Sequence, residues 1–251
     1  MMGYTHAVVG AAGAVMMACL CHDGTPEQYF LATVAGTLGG ISADIDVKDN
    51  FNNPKVTEAI RTKISVLGLL VLAVVLDFIF KIGALDSILS RQYLALGGVI
   101  LFCLLLLIGY FTEHRTFTHS LTFVILTSLC MFFVYPKAVI YYSIGCLSHI
   151  ILDIFNYKFR NHGVWLLFPL KIGNGIAFGL CKSGRIGNKV LYFIGLSLFL
   201  IASVAYMFLM KDLLKSLLLS ILCIYIPIVM HFVRRKSEKE QRHIMHIKGE
   251  L

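Results

Sequence analysis

Seven histidine and aspartate side chains occur in four short motifs, each at or near the end of an apolar stretch of this sequence. Imidazole nitrogens and carboxylate oxygens together form a ligand set suited to Zn²⁺, Mn²⁺ or Fe²⁺. Seven such groups are enough for one or two divalent ions. We therefore predict a metal centre, with zinc as the first choice and manganese or iron as alternatives. The predicted metal ligands are His6, Asp44, Asp46, His114, His119, His149 and Asp153.

Two of the motifs have a spacing that favours a shared ion. His149 and Asp153 are four residues apart, so on a helix both side chains lie on one face and can bind the same ion. Asp44 and Asp46 stand at the end of an apolar stretch, where the chain can turn and direct both carboxylates inward. The His149 and Asp153 pair on an apolar helix is harder to explain as structural than a single histidine is.

Each ligand also has a structural alternative. A lone histidine at a membrane interface, such as His6, is more often a hydrogen-bonding group than a ligand, and Asp44 or Asp46 can cap a following helix. Asp77 has no partner motif, and we interpret it as an interfacial group. The metal interpretation therefore depends on the seven residues meeting in one place.

The elements that must position these residues are predicted to be transmembrane helices. The 251 residues are 58% hydrophobic and 14% charged, with a mean hydropathy of +0.80, whereas soluble domains have about 45–50% apolar and about 25% charged residues. This composition excludes a disordered chain, a disulfide-stapled secreted domain and a water-soluble enzyme. Segments of roughly 20 apolar residues span a bilayer. We count about eight, near 6–21, 29–43, 64–83, 92–112, 117–135, 137–155, 189–210 and 213–233.

The predicted fold is thus an all-α, polytopic transmembrane helical bundle. It forms a single integral membrane domain over residues 1–251, with a basic cytoplasmic tail at 233–251. The segment near 164–187 contains an apolar piece too short to span a bilayer, so we predict a re-entrant or interfacial element there. The first two spans are rich in glycine and alanine, which predicts close packing in the bundle interior.

Lysine and arginine predict the orientation of the bundle. The chain has 22 of these residues and a formal net charge of +8. With both termini cytoplasmic, 17 of them lie on the cytoplasmic side and 5 outside, which is the bias expected in an inner membrane. All four motifs then lie at the cytoplasmic ends of their spans. No basic stretch carries interleaved aromatic residues or a known binding motif, so no nucleic-acid partner is predicted.

The order of the four motifs resembles one known family, the membrane-bound metal-dependent hydrolases described as LexA-regulated, YdjM-like inner-membrane proteins. The resemblance covers about residues 3–170, and it implies a multi-pass protein of the bacterial inner (cytoplasmic) membrane. The chain departs from the family pattern at Ala43, where proline is usual, and at Thr116, where glycine is common. Neither departure replaces a predicted ligand. The motifs are Thr5-His6, Asp44-x-Asp46, His114-Arg115-x-x-Thr118-His119-Ser120 and Ser148-His149-x-x-x-Asp153.

The predicted function is a metal-dependent hydrolase that acts on a phosphoester, lipid-linked or phospholipid, at the cytoplasmic membrane face. Arg115 is the predicted catalytic group that holds phosphate oxygens, because its planar donor fork can reach two of them. Asp46 is the second predicted catalytic residue, as a general base or as a ligand. Thr118 and Ser120 are expected to orient ligands through hydrogen bonds.

Two other classes of function use the same residues. A transporter for metal ions or protons distributes polar groups across the depth of the bilayer and often has paired repeats. A structural membrane protein can use a metal ion only to join its helices. The predicted cluster is confined to one side and no repeat is visible, which favours the enzyme. Membrane lipids and a small or lipid phosphoester are the predicted partners, and the oligomeric state stays open.

Overall fold

The chain folds into an all-helical bundle, as predicted. The computed structural model describes residues 2–21, 24–47, 54–80, 83–158, 163–170, 174–183, 185–210 and 213–247. Within these ranges there are nine α-helices and no β-strand, apart from two isolated bridges. The helices are α1 (Gly3–Cys21), α2 (Pro26–Ser42), α3 (Pro54–Phe80), α4 (Ala84–Leu89), α5 (Gln92–Phe111), α6 (Leu121–Val134), α7 (Val139–Ile154), α8 (Ile186–Leu209) and α9 (Leu213–Ile247).

Each predicted span coincides with one of the longer helices, but fewer pass the requirements for crossing a membrane. Among the described residues, five helices are long and apolar enough. The 14 residues of α6 reach only about 21 Å, less than the roughly 30 Å of a bilayer core. The described segments that qualify are Gly3–Cys21, Ile60–Ile79, Gln92–Phe111, Pro136–Ile154 and Ile186–Leu209.

The first two helices occupy the interior of the bundle. In α1, 12 of 19 residues are buried, and this helix packs against α2, α7 and α8. In α5, by contrast, only 4 of 20 residues are buried, and its leucine and isoleucine side chains face outward. Glycine explains the close packing in the interior. An added Cβ at Gly10 or Gly145 would lie 2.5 or 2.3 Å from the carbonyl oxygen of Gly36, so α1, α2 and α7 meet backbone to backbone.

Enlarging Gly145 is expected to destabilise the bundle. In Gly145→Ala the new methyl group meets the α2 backbone, which cannot rotate away, and overpacking of this kind costs about 1–3 kcal/mol. Thermal unfolding in detergent, followed by circular dichroism, should show a lower midpoint. Gly97→Ala is the matched control, because a Cβ at Gly97 in α5 has nothing within 4 Å and alanine favours a helix. An unchanged midpoint in Gly145→Ala would contradict the close contact.

Two features at the helix ends differ from expectation. Asp77 is buried, and its carboxylate oxygens accept hydrogen bonds from the backbone of Ala84 and Leu85 at 2.9 and 3.0 Å. It thereby caps the short helix α4, a contact that the interpretation of Asp77 as an interfacial group did not include. The predicted basic tail continues α9 as a helix through Ile247, and residues 248–251 lie outside the described part.

The predicted re-entrant or interfacial segment near 164–187 is an irregular loop, where it is described, up to α8, which begins at Ile186; residues 171–173 and 184 lie outside the described part. An antiparallel bridge joins Val164 to Ile176. Backbone and side-chain hydrogen bonds join the same loop to the start of α6, including Leu121 N to Leu166 O at 2.9 Å and Thr122 Oγ1 to Phe168 O at 2.6 Å. The loop therefore packs on the end of the bundle that carries the histidine and aspartate motifs.

Candidate metal centre

The four motifs meet at one end of the bundle. His6 lies in the first turn of α1, and the two aspartates lie in a 3₁₀ turn, Ala43–Asp46, that directly follows α2. The α5–α6 connection supplies two histidines, and the last turns of α7 supply the i, i+4 pair. Two groups of three residues each bring ligand atoms within 4.8 Å of one another and can hold a metal ion. The groups are His6, His149 and Asp153, and Asp44, His114 and His119.

Hydrogen bonds define which nitrogen of two central histidines is free. His149 Nδ1 lies 2.7 Å from the Gly40 carbonyl oxygen, which can only accept, so Nδ1 carries the proton. Thr118 donates its hydroxyl to Asp46 Oδ2 at 2.5 Å and therefore accepts from His119 Nδ1 at 2.9 Å. In both imidazoles Nδ1 thus carries a proton, so in the neutral ring the lone pair of Nε2 is free to bind a cation.

The free nitrogens face each other and two carboxylates. His149 Nε2 lies 3.1 Å from His119 Nε2, and His119 Nε2 lies 3.3 Å from Asp153 Oδ2. His149 Nε2 is also 3.6 Å from Asp44 Oδ1. With these neutral tautomers the two imidazole nitrogens and the carboxylate oxygens are all acceptors. Arg115 Nε lies 3.3 Å from Asp153 Oδ2, and a cation among the other atoms would relieve their repulsion. Tetrahedral zinc ligands at about 2.0–2.1 Å from the ion are about 3.3 Å apart, which these separations match.

His6 fits the same interpretation. Its ring is fully buried and stacks on the ring of His149, with centroids 3.7 Å apart. Among the described residues neither ring nitrogen of His6 has a hydrogen-bond partner, and its Nε2 lies 3.5 Å from Asp153 Oδ1. Burying unpaired imidazole nitrogens is costly. Coordination of an ion beside Asp153 would satisfy one of them.

Asp46 lies one layer outside these groups. Its Oδ1 is 2.7 Å from His114 Nδ1, and its Oδ2 accepts from Thr118. Burial raises the pKa of the Asp46 carboxyl, but the neighbouring His114 and His119 outweigh burial and hold that pKa below its usual range. Asp46 is therefore a carboxylate that orients two imidazoles, as carboxylates beside metal-binding histidines commonly do.

Removing the Asp46 charge is expected to weaken metal binding without abolishing it. In Asp46→Asn the hydrogen bonds to His114 and Thr118 are weakened, and loss of such outer contacts typically lowers metal affinity about 10–100-fold. Competition with a chromophoric chelator measures the change. Asp86→Asn, on the exposed side of α4, is the matched control. If both variants bind metal as tightly as the unmodified protein, Asp46 does not support the site.

Arg115 is buried at the edge of the centre rather than extended into solvent. It is 4% exposed and has a φ of 69°, a left-handed conformation that is unusual for a residue with a side chain. Its Nε lies 3.3 Å from Asp153 Oδ2, and its Nη1 donates to the Tyr157 carbonyl oxygen at 2.5 Å. The observed role of Arg115 is to hold Asp153, and its predicted contact with phosphate stays a prediction.

Two supporting residues lie outside the motifs. The Gly40 carbonyl orients His149, and the buried Asn188 binds Met2 N at 3.1 Å, Thr5 Oγ1 at 3.3 Å and the Tyr4 hydroxyl at 2.9 Å, which fixes the start of α1. In the sequence, the only feature that could have pointed to this role of Asn188 is an amide side chain at the start of an apolar helix. Ser120 was predicted to orient a metal ligand, but its hydroxyl caps α6 instead. The hydroxyl accepts a hydrogen bond from Phe123 N and donates one to Phe117 O.

The centre opens to the surface through two of its members. The side chains of His114 and Asp44 are 19% and 11% exposed, whereas those of His6, His119, His149 and Asp153 are at most 1% exposed. A small polar group can therefore approach the second group of donors from outside. The first group lies deeper, between α1, α2 and α7.

The fold and the site define a helical membrane protein with a buried histidine–aspartate centre that can hold a metal ion. The chain belongs to the YdjM inner membrane protein family, which matches residues 1–237. This match confirms the resemblance read from the motifs and places the protein in an inner-membrane family. A search of curated proteins and a search of solved structures found no match to this chain.

Proposed function

We propose that this protein is a divalent-metal-dependent hydrolase that cleaves a phosphoester, lipid-linked or phospholipid, at the cytoplasmic face of the inner membrane. The observation that carries the proposal is the convergence of histidine and aspartate ligand atoms in two groups of three residues, with the atoms of each group within 4.8 Å of one another. One or two ions, zinc first, would be held there. A bound divalent ion supplies Lewis acidity and lowers the pKa of a coordinated water toward about 7.

The residues of the centre have distinct proposed roles in binding the metal, orienting its ligands and accepting a proton. His6, His149 and Asp153 form the deep donor group, and Asp44, His114 and His119 form the outer one. Both oxygens of Asp46 are already engaged, so Asp46 acts through the imidazoles that it orients rather than as a free base. Asp44 lies where the centre opens and is the aspartate better placed to accept a proton from water at the site.

The phosphoester class follows from charge and position. The centre lies at helix ends, and the exposed residues Lys158, Lys182 and Arg185 lie in the connection between α7 and α8. A cationic site at the depth of lipid headgroups suits an anionic substrate. The proposed orientation, with both termini cytoplasmic, is tested by a reporter fused after Leu251. Activity of a reporter that works only in the periplasm would overturn the orientation.

Formation of the hydrolysis products of a substrate panel, followed by mass spectrometry, tests the proposed activity. The purified, metal-loaded chain is assayed against phosphatidic acid, phosphatidylglycerol, an isoprenoid diphosphate and p-nitrophenyl phosphate, with and without a chelator. We expect hydrolysis of at least one lipid phosphoester, and no hydrolysis by His149→Ala or after chelation. If none of the panel is cleaved while the same protein moves divalent ions across liposomes, the protein is a transporter.

A further inference from the structure

A second polar feature lies beside the metal centre. Lys182, Arg185 and Lys189 line a surface pocket of about 400 Å³, which we call the cationic pocket. Its remaining walls are formed largely by apolar residues of the 157–187 loop and the start of α8. These residues are Tyr157, Leu180, Cys181, Ile186 and Gly187.

Backbone hydrogen bonds fix the cationic pocket relative to Asp153. The last carbonyls of a helix have no partner within it. At the end of α7, the Ile154 carbonyl accepts from Phe178 N at 2.7 Å, and the Phe155 carbonyl accepts from Leu180 N and Cys181 N at 2.9 and 3.0 Å. The segment that leads into the pocket is therefore joined to the residues that directly follow Asp153.

A second connection runs through Arg115. Its guanidinium contacts Asp153 through Nε and the Tyr157 carbonyl through Nη1, and Tyr157 lines the pocket. One side chain thus lies between the metal centre and the cationic pocket. A ligand bound in the pocket would be held next to the centre by rigid backbone contacts rather than by a flexible surface loop.

The cations of the pocket are available for an anion. Among the described residues, neither Lys182 nor Arg185 has a carboxylate within ion-pair distance, and both are exposed. Lys189 is partly compensated, because its Nζ lies 3.5 Å from Glu238 Oε1, and Glu238 also pairs with Arg234. The pocket therefore carries a net positive charge, which favours a phosphate group.

Exposed apolar side chains around the cationic pocket, which we call the apolar rim, favour a lipid phosphate over a soluble phosphate. Phe178, Leu180 and Ile186 expose most of their side chains around the cations. In water such exposure is unfavourable, whereas aromatic and aliphatic groups beside lysine and arginine are typical of surfaces that lie in the headgroup region of a membrane. A free phosphate ion would gain nothing from this rim.

We propose that the cationic pocket binds the headgroup phosphate of an anionic membrane phospholipid and holds that lipid beside the metal centre. The binding itself is independent of catalysis, but the inference that the bound lipid is the substrate rests on the proposed function. Each basic residue near a membrane surface contributes roughly a fivefold gain in affinity for anionic lipid. Removal of two should therefore weaken binding about 25-fold.

Native mass spectrometry of the full-length protein in detergent measures the binding. The probes are dioctanoyl phosphatidylglycerol, dioctanoyl phosphatidylcholine and inorganic phosphate. The test variant is Lys182→Gln/Arg185→Gln, and the matched control is Lys63→Gln/Lys158→Gln, which removes the same charge outside the pocket. We expect phosphatidylglycerol to bind more tightly than both other probes, with about 25-fold weaker binding in the test variant and less than twofold change in the control.

Two results would contradict the proposed lipid site. One is an equal loss of phosphatidylglycerol affinity in the test and control variants, and the other is inorganic phosphate binding as tightly as phosphatidylglycerol. Failure of the proposed function has a different signature, namely specific lipid binding in the pocket by a protein that hydrolyses no phosphoester. If hydrolysis is found, the test variant should raise the KM for the lipid substrate and leave the turnover of p-nitrophenyl phosphate unchanged. An unchanged KM would show that the bound lipid is not the substrate.

Discussion

The His149→Ala variant is expected to lose the bound metal ion that the unmodified protein carries after purification. His149 belongs to the deep donor group, and its Nε2 is within 3.1–3.6 Å of His119 Nε2 and Asp44 Oδ1 of the outer group. Its removal therefore takes a donor from the deep group and alters the surroundings of the outer one. Elemental analysis of the purified protein should show one or two equivalents of a divalent transition metal, and a residual content near background in the variant. His231→Ala is the matched control, because His231 lies in α9 and belongs to neither group.

Folding must be separated from metal loss. Circular dichroism and gel filtration in detergent show whether His149→Ala keeps its helical fold, and Asp44→Ala/Asp153→Ala removes one carboxylate from each group as a second variant. Full metal content in a folded double variant would refute the centre. A metal-free unmodified protein would show that a proton shared among His119, His149 and Asp153 is the cation that stabilises the acceptors.

Arg115→Ala is expected to keep its metal and to lose about 10²–10³ in turnover of a phosphoester, the effect of removing one preorganised donor from a transition state. Arg115 holds Asp153 Oδ2 and the Tyr157 carbonyl from the edge of the centre. Loss of the guanidinium removes a positive charge next to the reacting group and releases Asp153. Arg115→Lys should recover only part of the rate, because an ammonium group cannot make both contacts with fork geometry.

The measurement pairs steady-state kinetics with elemental analysis on the same preparations. Arg91→Ala, at the opposite end of α5, removes a similar charge away from the centre and should leave turnover unchanged. Loss of metal together with activity in Arg115→Ala would show that Arg115 only positions Asp153 as a ligand. Activity equal to that of the unmodified protein would contradict any role in the reaction.

Composition and local spacing were sufficient for the class of protein. Six of the seven predicted ligands lie in the two donor groups, and Asp46 lies outside them. Apolar length identified the helices, because a bilayer-spanning segment needs a run of apolar residues wherever it occurs. The i, i+4 spacing placed His149 and Asp153 on one face of α7, where both contribute to the deep group. Glycine content placed α1 and α2 in the interior, and the structure confirms this through the contact of Gly10 with Gly36. Each of these properties depends on residues close together in the chain.

Only the tertiary structure decided the role of each ligand. Asp44 and Asp46 are equivalent in the sequence, yet Asp44 joins a donor group while Asp46 orients His114 and receives the Thr118 hydroxyl. The Gly40 carbonyl fixes the His149 tautomer across 109 positions of the chain, and Asn188 binds Thr5 across 183. Such contacts arise where helices from distant parts of the chain pack together. Local periodicity places a side chain on a face of its own helix but carries no information about which atom of another helix lies opposite.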